Sequence, residues 1–280
     1  MEFLENKVRK NSEIVKLSNY KRLVLTLSLA LSLSLVQAQV GEHRDKFSLG
    51  VNGGYVLSNV GFEPKVTQGF HGGITGGLSM RYVCEKYFSM ICSIYGEINF
   101  ASVGWKEDPL TKMDQPVVNP ETGVAEQYSR TINYVQIPIL AHLAWGREDR
   151  GFNFFVNAGP QFGIYLSEST TKNYNEPYIS GDDARANPTI AQETMPVEKK
   201  FDYGIAVGLG TEYSHPRLGH FLLEGRYYYG LGDIYGNSKR DYFGKSNFGN
   251  IVVKATYLFD ITGRSKERGA RSEEQGARSK

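Results

Sequence analysis

The sequence predicts an all-β fold: an eight-stranded antiparallel up-and-down transmembrane β-barrel. Three observations predict it. Apolar and polar residues alternate with a period of two through eight separate segments. The connections between them alternate between short and long, and aromatic residues gather near the ends of the apolar faces. Composition agrees: 18 tyrosines, 15 phenylalanines and 31 glycines accompany a mean hydropathy of only −0.38. That combination suits a structure in which every second residue meets an apolar medium. The net charge of +2 gives no concentrated basic face, so nucleic acid is not an expected partner.

The first 38 residues read as an N-terminal extension and a cleaved signal peptide. Lys16, Lys21 and Arg22 precede an uncharged run from Leu23 to Val36, followed by Val36-Gln37-Ala38. A positive region, an apolar stretch and small residues before the cut place cleavage between Ala38 and Gln39. The run is shorter than the roughly 20 apolar residues of a spanning helix. Residues 39–46 are expected as a short periplasmic lead and 47–259 as the barrel.

A strand turns successive side chains to opposite faces, so each segment splits into two lists. Phe47, Leu49, Val51 and Tyr55 oppose Ser48, Gly50, Asn52 and Gly54. Phe70, Ile74, Leu78, Met80 and Tyr82 oppose His71, Thr75, Ser79 and Arg81. In the third segment, Phe88 to Phe100, Met90, Ile94 and Ile98 oppose Ser93, Glu97 and Asn99. Val135, Ile137, Ile139, Leu143 and Trp145 oppose Gln136, Pro138 and His142. Phe152, Phe154, Val156, Phe162 and Ile164 oppose Asn153, Asn157, Gln161 and Gly163. The sixth segment is the clearest, with Phe201, Tyr203, Ile205, Val207, Leu209 and Tyr213 against Asp202, Gly204, Ala206, Gly208, Gly210 and Glu212. Phe221, Leu223, Tyr227 and Tyr229 oppose Leu222, Glu224, Arg226 and Tyr228. Ile251, Val253, Tyr257 and Phe259 oppose Asn250, Val252, Lys254 and Thr256.

Half-buried strands of water-soluble proteins alternate too, so the connections decide. Short ones are expected at Cys84–Tyr87, Gly146–Arg150 and His215–Arg217. Long polar ones are expected at Ser58–Gln68, Lys106–Gln127, Ser167–Lys200 and Gly232–Ser246. Long loops at one end and tight turns at the other are the asymmetry of outer-membrane barrels. Tyr, Trp and Phe at the segment ends suit the two membrane interfaces. Residues 260–280 are charged, lack aromatics and repeat Gly-Ala-Arg-Ser at Gly269 and Gly276, so they are expected to form a disordered periplasmic tail.

An eight-stranded barrel is about wide enough for its own side chains. A lumen network of Arg81, Glu97, His142, Asp202, Glu212, Glu224, Arg226 and Lys254 is therefore expected to pair internally and hold the barrel shut, because an unpaired buried charge is costly. The alternative is a narrow channel through the same charges. Among the five histidines only His71 lies near the extracellular rim, where a lipid-modifying enzyme would need it. No local motif supplies its nucleophile, so no catalytic residue, cofactor or metal is assigned. Asp182-Asp183 reads as a solvated loop pair, and Gly208-x-Gly210 leads into a strand and so is no nucleotide loop. Cys84 and Cys92 fit neither a zinc site nor a redox motif, and their strands do not place them opposite each other. The expected partners are outer-membrane lipid and proteins met at the long loops, chiefly Ser167–Lys200, or at the tail. A monomer is expected.

Several motifs together resemble the PorT-like family of outer-membrane β-barrels from Bacteroidetes. Tyr134-Val135-Gln136-Ile137-Pro138-Ile139-Leu140 resembles its Tyr-x-Glu/Gln-Ile-Pro-Leu-Leu signature, and Gly208-Leu209-Gly210-Thr211-Glu212 its Gly-x-Gly-x-Glu. Glu224 to Leu231 with Asp233-Ile234 is similar to its penultimate strand and exit loop. The resemblance covers about Lys46 to Phe259. It implies an eight-stranded barrel in the outer membrane of a Gram-negative Bacteroidetes cell; it does not imply a catalytic site. A full set of alternating strands with nothing resembling an active site leads to the expectation of a non-enzymatic structural or protein-interaction role; the family's namesake is associated with type IX secretion, so the resemblance adds an accessory role in secretion.

Overall fold

The computed structural model describes residues 42–261, apart from 149, 237, 239 and 240. The cleavage site at Ala38 and Gln39 and the tail beyond Ile261 lie outside the described residues. Eight strands form a closed antiparallel barrel in simple sequence order: β1 (Glu42–Glu63), β2 (His71–Tyr87), β3 (Met90–Glu107), β4 (Tyr128–Trp145), β5 (Gly151–Lys172), β6 (Phe201–His215), β7 (Gly219–Gly230) and β8 (Lys245–Asp260). One short helix, α1 (Ala191–Thr194), lies between β5 and β6. β1 closes the ring on β8, with Val56 opposite Val252 and Gly50 opposite Leu258. Closure leaves no sheet edge with unsatisfied backbone groups in lipid.

Burial follows the predicted alternation strand by strand. On β6 the buried positions are Asp202, Gly204, Ala206, Gly208, Glu212 and Ser214, whereas Phe201, Tyr203, Ile205, Val207, Leu209 and Tyr213 face outward. The outward band carries Ile74, Leu78, Ile94, Ile139, Val207, Leu209, Leu223 and Val253, all well exposed. Tyr82, Trp145, Phe152, Tyr213, Phe221 and Tyr257 ring its periplasmic end, and Tyr55, Phe70, Phe100, Tyr203 and Tyr229 the opposite one. No helix among the described residues is long and apolar enough to cross a membrane. This chain crosses with strands.

Several boundaries depart from the sequence reading. β1 begins at Glu42, inside the expected periplasmic lead, and it runs to Glu63 rather than stopping before Ser58, pairing Glu63 with Lys245. β5 continues past Ser167 to Lys172, opposite Tyr128. Both far ends were hidden because hydrogen-bonded pairing continues after the outward face loses its apolar residues, at Asn59, Gly61 and Glu63 on β1 and at Ser167 and Ser169 on β5. The first short turn is not Cys84–Tyr87 but Phe88-Ser89. Tyr87 pairs with Met90, and a bulge at Cys84 delays the turn. Phe88 therefore belongs to the turn, at φ 51°, rather than to the start of β3. Asp260, assigned to the tail, ends β8 opposite Ser48. Cys84 and Cys92 are free thiols.

Candidate functional site: the lumen and its extracellular cap

All eight predicted lumen residues are buried inside the barrel, and seven of them form two clusters. At mid-barrel, Arg226 on β7 donates Nη1 to Glu97 on β3 at 2.9 Å and Nε to its strand neighbour Glu224 at 2.8 Å. Lys254 on β8 pairs with Glu97 and approaches Glu224 at 3.5 Å. Two anions and two cations thus neutralise one another. Amides complete the shell. Asn157 donates to Glu224, Asn99 to Glu97, and Asn52 to Asn99 and Ser79. Bringing this much charge into one layer needs space. A Cβ on Gly208 would stand 2.3 Å from the Glu224 carboxylate, and one on Gly54 2.5 Å from the Lys254 side chain. The Gly-x-Gly of β6 is thereby explained, since its second glycine clears the ring of Phe155.

The second cluster closes the periplasmic end. Arg81 donates to Glu212 at 2.7 Å, and His142 Nε2 stands 3.8 Å from the same carboxylate. His220 Nδ1 lies 2.7 Å from Glu212 while its Nε2 reaches Asp260 at 3.2 Å, and Ser48 donates to Asp260 at 2.6 Å. Arg81 Nε, His142 Nε2 and Asn153 Oδ1 have no hydrogen-bond partner among the described residues, and these three residues line a cavity of about 20 Å³, the size of one water molecule. His220, Ser214 and Asp260 were missed by sequence reasoning. His220 shares the inward parity of Leu222, Glu224 and Arg226, which is the signal that would have found it. Asp202 stands apart from both clusters. It accepts from Tyr228 at 2.7 Å and has no cation partner among the described residues, so it is no part of the ion-paired network.

Above the membrane band the long loops fold inward as a cap. Phe62, Trp105, Tyr128, Tyr235, Phe243 and Phe248 are buried together, Phe62 packing edge-on to Trp105 at 5.3 Å. Arg130 on β4 ties the loops to the barrel. Its Nη1 donates to the carbonyls of Gln192 and Met195 and to the Tyr235 hydroxyl, and its Nη2 to Glu168. Gln192, fully buried, donates to Glu107, which also accepts from Trp105 Nε1. Glu107 lies beyond Phe100, the last apolar lipid-facing residue of β3. Burial pushes its carboxyl up to about 7, with the nearby Glu193 charge adding to the effect; the hydrogen bonds from Trp105 and Gln192 and the charge of Arg185 work the other way. Arg185 pairs with Glu126 at 2.6 Å and Glu193 at 2.5 Å beneath Tyr174. The segment expected to be a free polar loop therefore buries Tyr174, Arg185, Gln192 and Val197, while Asp182 and Asp183 stay exposed.

His71 at the start of β2 meets two hydroxyls of β4: Ser129 Oγ and Thr131 Oγ1, each at 3.2 Å. No carboxylate joins them among its hydrogen-bond partners. The pairing spans 58 residues of sequence, which is why no local motif announced it.

A family model described as "Outer membrane protein beta-barrel domain" matches residues 37–236. Among solved structures the chain is similar to Ail of Yersinia pestis in complex with the heparin analogue sucrose octasulfate, at 14% identity, covering 77% of this chain and all of that one, TM-score 0.33. It is also similar to Neisserial surface protein A, at 10% identity over 76% of this chain and 97% of that one, TM-score 0.35. OprG of Pseudomonas aeruginosa is 13% identical over 78% and 98%, TM-score 0.33. No curated protein matches the chain.

Proposed function

The chain belongs to the outer membrane protein beta-barrel domain family, and from that premise we propose a non-enzymatic outer-membrane barrel whose role is protein interaction at the cell surface. The observation that supports it most directly is the folded cap. Its tip displays Met113, 81% exposed, together with Val118, Val124 and Ile179, while the interior beneath is filled by paired charges. Apolar side chains held out on an ordered scaffold, away from lipid, suit a partner surface. A solute path would need the ion pairs of the lumen to part, at the cost of desolvated charge. An accessory role in type IX secretion is the finer form of this reading and rests on the motif resemblance. Photo-crosslinking residues placed at Met113 and Ile179 in expressing cells test it. A discrete protein adduct, with a secretion component as its identity in the finer form, is expected; crosslinks to lipid alone at both positions sink the reading. Planar-bilayer recordings are expected to show no conductance above the lipid background.

One observation favours a second reading. Ser129 and Thr131 lie within hydrogen-bond reach of His71 at the extracellular rim, where a hydroxyl nucleophile and an imidazole base would meet lipid. An unchanged lipid-modification profile in His71→Ala and Ser129→Ala removes it.

A further inference from the structure

A second concave surface lies at the other end of the barrel. At the periplasmic ends of β5 and β6, where Gly151 pairs with Ser214 and Phe152 with Tyr213, a groove of about 390 Å³ opens between two turns. Arg150 from the β4–β5 turn forms one bank, and His215, Pro216 and Arg217 from the β6–β7 turn the other. Tyr213 is its membrane-side wall. That ring faces outward and packs on Phe152 at 5.0 Å, continuous with the lipid-facing surface.

The groove is lined by basic side chains. Arg150 is exposed and has no carboxylate partner among the described residues, and the Arg217 side chain is also exposed. His215 Nδ1 accepts the backbone N–H groups of Arg217 at 3.2 Å and Leu218 at 3.3 Å. In the neutral ring this fixes the proton on Nε2, which becomes a donor. Two guanidinium groups and an imidazole N–H therefore stand just beyond the aromatic girdle, the level at which aromatic side chains mark the membrane–water interface. Guanidinium forks match phosphate oxygens in pairs.

We propose that this groove seats the phosphodiester headgroup of a phospholipid of the periplasmic leaflet. Arg150, Arg217 and His215 hold the phosphate oxygens, and the glycerol and first acyl carbons lie along Tyr213 and Phe152. A free phosphate shares the anionic chemistry but leaves the apolar wall unused, which is why the lipid is the better occupant.

Native mass spectrometry of the full-length protein, released from vesicles of phosphatidylethanolamine and phosphatidylglycerol, tests the assignment. The wild-type chain is expected to retain a phospholipid. Each guanidinium removed costs about tenfold in retention, from the usual strength of a charge-assisted hydrogen bond. Arg150→Ala with Arg217→Ala therefore loses the adduct, whereas Arg147→Ala in the same rim retains it. A boiling-dependent gel shift confirms that each variant folds. If the double variant does not fold, Arg150→Ala alone carries the test with the same expected tenfold loss. Equal retention in wild type and folded variants overturns the proposal. So does displacement of the lipid by inorganic phosphate, which would reassign the groove to a free anion.

Discussion

The mid-barrel and the extracellular cap both fill the barrel with side chains, and they do so by different means. In the mid-barrel, side chains from strands far apart in sequence meet across a narrow lumen and neutralise one another: Glu97, Glu224, Arg226 and Lys254. In the cap, loops fold over aromatic rings and are pinned by hydrogen bonds from Arg130 and Gln192 to loop carbonyls and Glu107. The first arrangement is tied to the backbone ladder of a closed barrel and opens only with it. The second hangs from a few side chains, so it can open while the barrel persists. Local stability therefore falls from membrane to surface.

The strongest way to break this comparison is to unbalance the lumen. Glu97→Ala leaves Arg226 and Lys254 facing each other with only Glu224 to share, and should destabilise the barrel by about 3–5 kcal/mol. Urea titration of the folded protein in detergent, read by the boiling-dependent gel shift, checks it. Next in size is a charge on the opposite face. Leu209→Arg, outward at the middle of β6, should cost about 2–4 kcal/mol in a bilayer. The same arginine should cost far less in a water-filled setting, so equal penalties with and without lipid would contradict a membrane-facing band.

The cap is tested separately. Arg130→Ala should loosen it by about 2–3 kcal/mol, since several donors to carbonyls and a carboxylate are lost together. The segment 173–200 should then be cleaved by added protease while the gel shift of the barrel is unchanged. Loss of both together would mean that cap and barrel form one cooperative unit. The smallest effect is with pH. Glu107 has its carboxyl raised by burial to about 7, so the folded cap binds that proton more tightly than the opened one. Its stabilising contribution is full below the ordinary carboxylate range and is lost as pH rises from there to about 7. Protease resistance of the cap should therefore be higher at pH 5 than at pH 8, and Glu107→Gln should flatten that difference. Glu193 and Arg185 are the charged groups that act on Glu107, in opposite directions.

How far each region was legible follows from the same contrast. The inward parity of Arg81, Glu97, His142, Glu212, Glu224, Arg226 and Lys254 could be read one strand at a time. Asp202 shared that parity, yet its partner proved to be Tyr228 and not a cation. Parity fixes a residue's face but not its height along the barrel, and height is set by register. The bulge at Cys84 moved a turn for the same reason. The segment 167–200 looked like a solvated loop because its polar residues are satisfied by one another, Arg185 by Glu126 and Glu193, rather than by water. No period reveals such pairing.

By itself, then, the sequence determined the strand number, the inward and outward faces and the end of the barrel that carries the long loops, since all three are written in a two-residue period and in connection length. Only the tertiary structure decided which charges meet, where His71 finds Ser129, and that the loops close over the mouth. Those outcomes depend on the stagger of eight strands around a closed ring, which brings together residues that no local pattern relates.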